Sequence, residues 1–219
     1  MREDARAALL GAVARATQGV RDAHVDAAYE ALERGYRRRG QADEAARLAR
    51  LSDRLADYGV EVLRTRAEGV ARVVAEWAAQ RGVRSWVVPP GLEAAWLAEA
   101  GDVRVVPDDA EPRALDVADA VVTGCAVAVA ETGTIVLDAG AGQGRRAATL
   151  VPDAHLCVVR ASQVVELVPE AIEALEGAAR AGRPLTFVSG PSATSDIELV
   201  RVAGVHGPRT LAVVLVEGV

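Results

Sequence analysis

From residue 58 onward this 219-residue chain alternates short apolar runs with helical segments, and that alternation limits its fold more than any other feature. The runs lie at 58–63, 85–89, 103–106, 156–159, 185–188 and 210–216. In 85–89, 156–159 and 210–216 apolar side chains do not alternate with polar ones, so both faces of those strands must be covered. Segments 67–81, 92–100 and 169–180 supply the cover. In the first of these, Val70, Val73, Val74 and Trp77 share one helical face. Strands of this kind separated by helices predict a parallel sheet with helices on both sides. Residues 118–137, ADAVVTGCAVAVAETGTIVL, break the rhythm. They read as two or three strands joined by tight turns at Gly124 and at Thr132-Gly133, part of them antiparallel to the rest. The expected fold class is α/β, with an open mixed, mostly parallel sheet flanked by helices.

The N-terminal quarter follows a helical period instead. Ala8, Leu9, Ala12, Val13 and Ala16 share one spacing, and Ala45, Leu48, Leu51 and Leu55 share another. Between them, 25–36 is a weakly apolar helix ending in Arg37-Arg38-Arg39-Gly40, as a helix terminus prefers. The chain is thus read as a helical N-terminal extension, 1–57, and an α/β domain, 58–219. The Arg triplet is either a solvated helix end or a partner-facing patch.

Composition matters where it excludes chemistry. All 25 basic residues are Arg, so there is no lysine for a Schiff base or a Walker A phosphate loop. A net charge of −6 and 3% aromatics argue against a nucleic-acid partner. Cys125 and Cys157 stand apart with no CxxC, whereas an iron–sulfur cluster takes about four thiolates. His24, His155 and His206 lack zinc spacing, so no metal site is expected. No stretch approaches the roughly 18 apolar residues of a membrane span, and Met1-Arg2-Glu3-Asp4 does not resemble a signal peptide. The expected location is the cytoplasm.

Three segments carry more small and polar residues than turns need. The first, Glu131-Thr132-Gly133-Thr134, sets a carboxylate beside two hydroxyls between apolar strands. Glu131 is either partly desolvated, which suits a nucleophile or general base, or turned to water. The second runs from Ser189 and Gly190 through Ser192 and Thr194 to Asp196, after a strand and at the expected start of a short helix. Helix N-termini offer unpaired N–H groups to anions, although the same residues also make an ordinary cap. In the third, His206 sits between Gly204 and Gly207, as a general acid/base or a turn histidine. The Gly140-x-Gly142-x-Gly144 loop lacks dinucleotide spacing. Arg145 and Arg146 behind it could grip a carboxylate or phosphate.

Taken in order, AETGTIVL (130–137), GRRAATLVP (144–152), His155, SGPSATSDIE (189–198) and GVHGP (204–208) resemble the LUD-domain family. The likeness is specific over about 118–217 and looser before it. It implies a fold like the NagB/RpiA/CoA-transferase group. It also implies work with two partner proteins that oxidise L-lactate to pyruvate and carry the iron–sulfur clusters, this chain carrying no cofactor itself. Glu131-Thr132-Gly133 is similar to the Glu-x-Gly turn of CoA transferases. Relatives often have a Lys and an Ala where this chain has Ala193 and Ser195, which weakens a strongly anionic site there.

The resemblance makes Glu131 and His206 the catalytic candidates. Thr132, Gly133, Thr134, Arg145, Ser189, Gly190, Ser192, Thr194, Asp196 and Gly207 are the candidate binders of a small carboxylate substrate. The alternatives are a free-standing CoA-transferase-like or sugar-phosphate isomerase-like enzyme, and a scaffold without ligand.

Overall fold

Burial on both faces lets apolar runs pair in parallel, and the computed structural model pairs five of the six so. The run at 185–188 instead joins a second sheet as an antiparallel strand, because its partner at 134–137 runs the other way. Residues 2–17, 22–195, 201–203 and 207–218 are described. The chain divides into two units, Met1–Arg37 and Arg38–Val219. The first contains helices α1 (Arg2–Ala16) and α2 (Asp22–Glu30). After α2, Arg34 lies over the Tyr29 ring, 4.4 Å from its centroid, and donates to the Tyr29 carbonyl at 2.7 Å.

The second unit begins with helix α3 (Glu44–Asp57), which Asp43 caps by accepting from the Ala46 N–H at 2.8 Å. Strand β1 (Glu61–Arg66), helix α4 (Val70–Arg81), β2 (Ser85–Val88) and β3 (Arg104–Pro107) follow. Helix α5 (Pro112–Asp116) leads to β4 (Ala120–Thr123), β5 (Val127–Val129), β6 (Thr134–Leu137) and β7 (Ala154–Arg160). Then come β8 (Val164–Val165), helices α6 (Val168–Ala174) and α7 (Glu176–Arg180), β9 (Thr186–Val188), β10 (Ala193–Ser195), β11 (Arg201–Ala203) and β12 (Thr210–Glu217). The boundary read from the sequence at 57/58 and the one between the units at 37/38 differ by the stretch that holds α3.

Six strands form an all-parallel sheet in the order β3-β2-β4-β7-β12-β1. One face presents Trp86, Val122, Leu156, Val158 and Val214 to α4, where Trp77 meets Trp86 at 5.8 Å. The other presents Cys157, Val159, Val213 and Leu215 to Leu48, Leu51 and Leu55 of α3 and to a second sheet. That sheet has the order β8-β5-β6-β9, with β5–β6 and β6–β9 antiparallel and β5–β8 parallel. The parallel sheet is thus covered by α4 on one side and by α3 with four further strands on the other.

Residues 118–137 do hold three strands, shared between the two sheets. β4 pairs with β7 and β2, and the chain then leaves through Gly124, whose N–H donates to the Gly142 carbonyl at 2.8 Å. Other expectations shift. The helix read at 92–100 is a single 3-10 turn, Ala94–Leu97, with Trp96 buried at its centre. A segment this short does not repay helix nucleation. The helix read at 169–180 breaks at Leu175 into α6 and α7. No helix starts at Ser192. Residues 193–195 form β10, antiparallel to β11, because pairing with a strand further along the chain satisfies the backbone that a helix would have bonded locally. Among the described residues no helix is long and apolar enough to cross a membrane.

Candidate functional site

A cavity of about 310 Å³ opens at the amino ends of β7 and β12, between the parallel sheet and the loop after β9. Its floor is His155, the second residue of β7, and Leu211, the second of β12. His155 is 3% exposed and shares a 2.7 Å hydrogen bond between Nε2 and Thr123 Oγ1. Burial, with the Arg146 charge adding to it, pushes its pKa down from 6.5 to about 4. The cavity therefore holds a neutral imidazole at physiological pH, a hydrogen-bonding group and a weak base.

Arg146 supplies the charge. It begins the 3-10 turn Arg146–Thr149, and its Nη1 donates to the Thr149 carbonyl and to Thr149 Oγ1, each at 3.2 Å. These bonds hold an exposed guanidinium at the cavity wall. Opposite lie Ser189, Gly190, Ser192 and Gly207. Gly190 has φ +98, and a Cβ there would stand 2.8 Å from Tyr58 Cβ, so only glycine fits. The Ser192 N–H donates to the Pro208 carbonyl at 2.8 Å, which ties the two ends of the wall together. This wall is a strand entry and not a helix start, so the dipole argument for anions at Ser192 does not apply. Its recognition groups are hydroxyls and one guanidinium.

Behind Ser189 runs a string of hydroxyls. Ser189 Oγ lies 2.8 Å from Thr134 Oγ1, which lies 2.7 Å from Thr132 Oγ1. The string reaches the turn between β5 and β6 that carries Glu131. There Gly133, at φ +63, approaches α3 so closely that a Cβ would sit 2.6 Å from Arg54 Cβ. Glu131 is exposed, and its N–H donates to the Glu166 carbonyl at 3.0 Å. The side chain is thus not desolvated between Val129 and Ile135. The turn places it outward while Thr132 and Thr134 face in.

The sequence candidates divide accordingly. Ser189, Gly190, Ser192 and Gly207 line the cavity, Thr134 and Thr132 stand behind it, and Gly133 shapes the turn. Arg145 goes elsewhere. Its guanidinium donates to the carbonyls of Asp108 and Ala110, and its N–H donates to Asp108 Oδ2 at 3.0 Å, tying the glycine loop to the end of β3. The backbone of Thr194 lies in β10, but its side chain, and all of Asp196 and His206, lie outside the described residues. Two lining groups, Thr149 and His155, are absent from the candidates for catalysis and binding, and of the two arginines named as a possible anion grip it is Arg146 that lines the cavity. The adjacent arginines and the histidine within the motif series are the available signals, but spacing alone does not say which arginine faces inward.

One buried carboxylate serves the scaffold. Glu166 accepts from the N–H groups of Ala42 at 2.7 Å and Gln41 at 2.6 Å and from Arg50 at 3.1 Å, and these bonds lower its pKa. Both cysteines are buried thiols.

Comparison with known proteins bears on the same region. A model of the LUD domain matches residues 48–216. A protein named lactate utilization protein C from Deinococcus radiodurans is 50% identical over 169 residues, spanning 77% of this chain and 79% of that one. Lactate utilization protein C 1 from Bacillus mycoides is 36% identical over 104 residues, covering 46% of this chain and 44% of its own. In three dimensions, the crystal structure of a DUF162 family protein from Deinococcus radiodurans aligns with a TM-score of 0.70 at 43% identity. That alignment covers 80% of this chain and 99% of that one.

Proposed function

The chain belongs to the LUD-domain family, and from that premise we propose that it serves lactate utilization by binding a small 2-hydroxy or 2-keto carboxylate in the Arg146–His155 cavity. The observation that carries the reading is one cavity lined by a guanidinium and a neutral, buried imidazole among hydroxyls. Arg146 pairs with the carboxylate through its two-donor fork. The hydroxyls of Thr149 on the Arg146 side and of Ser189 and Ser192 on the other suit the substrate's second oxygen. Leu211, Val188 and Pro191 give its carbon chain an apolar surface. His155, with its pKa near 4, is neutral at physiological pH, a weak base whose proposed part is to orient the substrate by hydrogen bonding. Of the two catalytic candidates, His206, next in sequence to the lining Gly207, is the one proposed to move a proton.

In this reading the chain is one subunit of an assembly that oxidises L-lactate to pyruvate. Its own residues do not fit an iron–sulfur cluster, because two buried thiols fall short of the roughly four such a cluster takes. The clusters are accordingly assigned to partner proteins.

Growth on L-lactate as sole carbon source tests the proposal. A strain lacking the gene should fail to grow, wild type should restore growth, and Arg146→Gln at equal abundance should not. Normal growth of the deletion strain, with no paralogue present, would remove the lactate role. Rescue by Arg146→Gln would remove the cavity from it. Glu131→Gln in the same series tells whether the exposed turn carboxylate takes part.

A further inference from the structure

The winding direction of the parallel sheet reverses between β2 and β4. From β2 the chain steps outward to β3, then crosses back to β4 and continues to β7 and β12 on the other side. The connections that leave β2 and β4 also go to opposite faces. Leu92 and Trp96, after β2, join the core on the α4 side, while Cys125, after β4, joins the core on the α3 side. Open α/β sheets bind ligands in the crevice such a divergence makes at the carboxyl ends of the strands.

That crevice exists in this chain as a cavity of about 110 Å³, at the opposite end of the sheet from the Arg146 pocket. Gly91, Trp96, Gly124, Cys125, Arg160 and Gln163 are among its walls. The walls are held in place independently of any guest. Gln163 donates to the Cys125 carbonyl at 2.6 Å and accepts from the Arg160 N–H at 2.9 Å. The Gly142 N–H donates to the Pro90 carbonyl at 2.8 Å and closes the glycine loop over the top. Arg160, the last residue of β7, lies over the Trp96 ring 5.5 Å from its centroid, and its guanidinium pairs with Glu93. The Glu93 side chain is 51% exposed and that of Arg160 33%.

We propose that this crevice is a second ligand site, for a two- or three-carbon monocarboxylate, in which the ligand's carboxylate takes the place of Glu93 on Arg160. Size sets the class. A protein cavity of about 150 Å³ accommodates benzene, so this one admits a small acid and excludes a nucleotide or a coenzyme A moiety. Charge sets the functional group, since Arg160 is the one cation among the described residues of the lining. Glu93 is an internal stand-in for the ligand. An exposed ion pair is weak and exchanges readily, while the Trp96 ring keeps the guanidinium oriented during the exchange. The site does not depend on the role assigned to the Arg146 cavity.

The test titrates the full chain with acetate and with propionate, neither of which carries the second oxygen that the Arg146 cavity is proposed to hold, following tryptophan fluorescence and thermal unfolding in parallel. A saturable fluorescence change is expected, because Trp96 borders the site, and Trp96→Phe should abolish that change while the thermal shift remains. Arg160→Gln should weaken binding by at least about tenfold. Glu93→Gln should tighten it, by up to about fivefold, because it removes the competing carboxylate. Arg146→Gln should leave this binding unchanged. Tighter binding in Glu93→Gln is the outcome a merely structural ion pair would not give. The proposal is overturned if neither acid binds, if Glu93→Gln binds more weakly, or if binding follows Arg146 and not Arg160. The last result would place the acid in the other cavity. Rescue of growth on lactate by Arg146→Gln, with acetate binding intact, would remove the role of the Arg146 cavity and leave this site standing.

Discussion

At the amino ends of β7 and β12 the Arg146 cavity is assembled by loops that reach across from the four-stranded sheet, whereas at the carboxyl ends of β2, β4 and β7 the crevice follows from strand order. The first depends on residues far apart in sequence: Arg146 after the glycine loop, Ser189 and Ser192 after β9, and Gly207 before β12. The second depends mainly on where consecutive connections leave one sheet. The difference shows in the chemistry. The assembled cavity pairs its cation with hydroxyls and a buried imidazole, while the crevice holds its cation against an aromatic ring and a carboxylate. Strand β7 joins them, with His155 at one end and Arg160 at the other.

The largest effect should come from breaking that shared strand. Leu156 is fully buried between the two ends, and Leu156→Ala should cost about 2–5 kcal/mol of stability, measured by urea unfolding. Both sites should weaken together, and loss at one end alone would show that they fold independently. Next is the pH dependence that belongs to the amino end. The folded pKa of His155, about 4, lies below its ordinary 6.5, so the unfolded state binds more protons between them. Its stabilisation is complete above pH 6.5 and is lost as pH falls toward 4, by about 3 kcal/mol in all. In urea titrations at stepped pH, His155→Gln should flatten this slope. An unchanged slope would assign the acid sensitivity to carboxylates such as Glu166.

A smaller and more local effect is expected at Arg146. Arg146→Gln should weaken L-lactate binding by at least about tenfold in calorimetry, with little change in unfolding midpoint. The smallest is expected one residue earlier. Arg145→Gln should leave lactate binding as in wild type, because its guanidinium is spent on the carbonyls of Asp108 and Ala110. Equal losses in the two variants would mean that the loop moves as a unit, and the two arginines would then share one role.

What the sequence discloses follows the same divide. The parallel strands are legible because burial on both faces leaves an unbroken apolar run, such as 211–216, that suits a covered strand and little else. The hairpin at Glu131 is legible from its glycine. The strand at 193–195 is not, because Ser and Thr serve helix caps and strands alike, and the deciding partner, β11, lies further along the chain. Segment 92–100 has the composition of a helix, but Trp96 must reach the core under α4 within one turn. Among the site residues, Ser189, Gly190, Ser192 and Gly207 stand out in the sequence because glycine and hydroxyl clusters are conspicuous. Which of Arg145 and Arg146 turns inward, and that His155 does, is not legible there, because facing inward is a property of the backbone path. Residue type alone tells nothing of it.

The length of β7 has a consequence for traffic between the two ends. His155 and Arg160 are five residues apart on an extended strand, which at about 3.3 Å per residue places them roughly 16 Å from one another. Charges exposed at the two openings are then about two screening lengths apart at physiological ionic strength. A small acid held at one opening neither touches nor repels one held at the other, so the protein can be loaded at both at once. A molecule that has to visit both must leave into solvent and re-enter, and the order of its visits is set by diffusion.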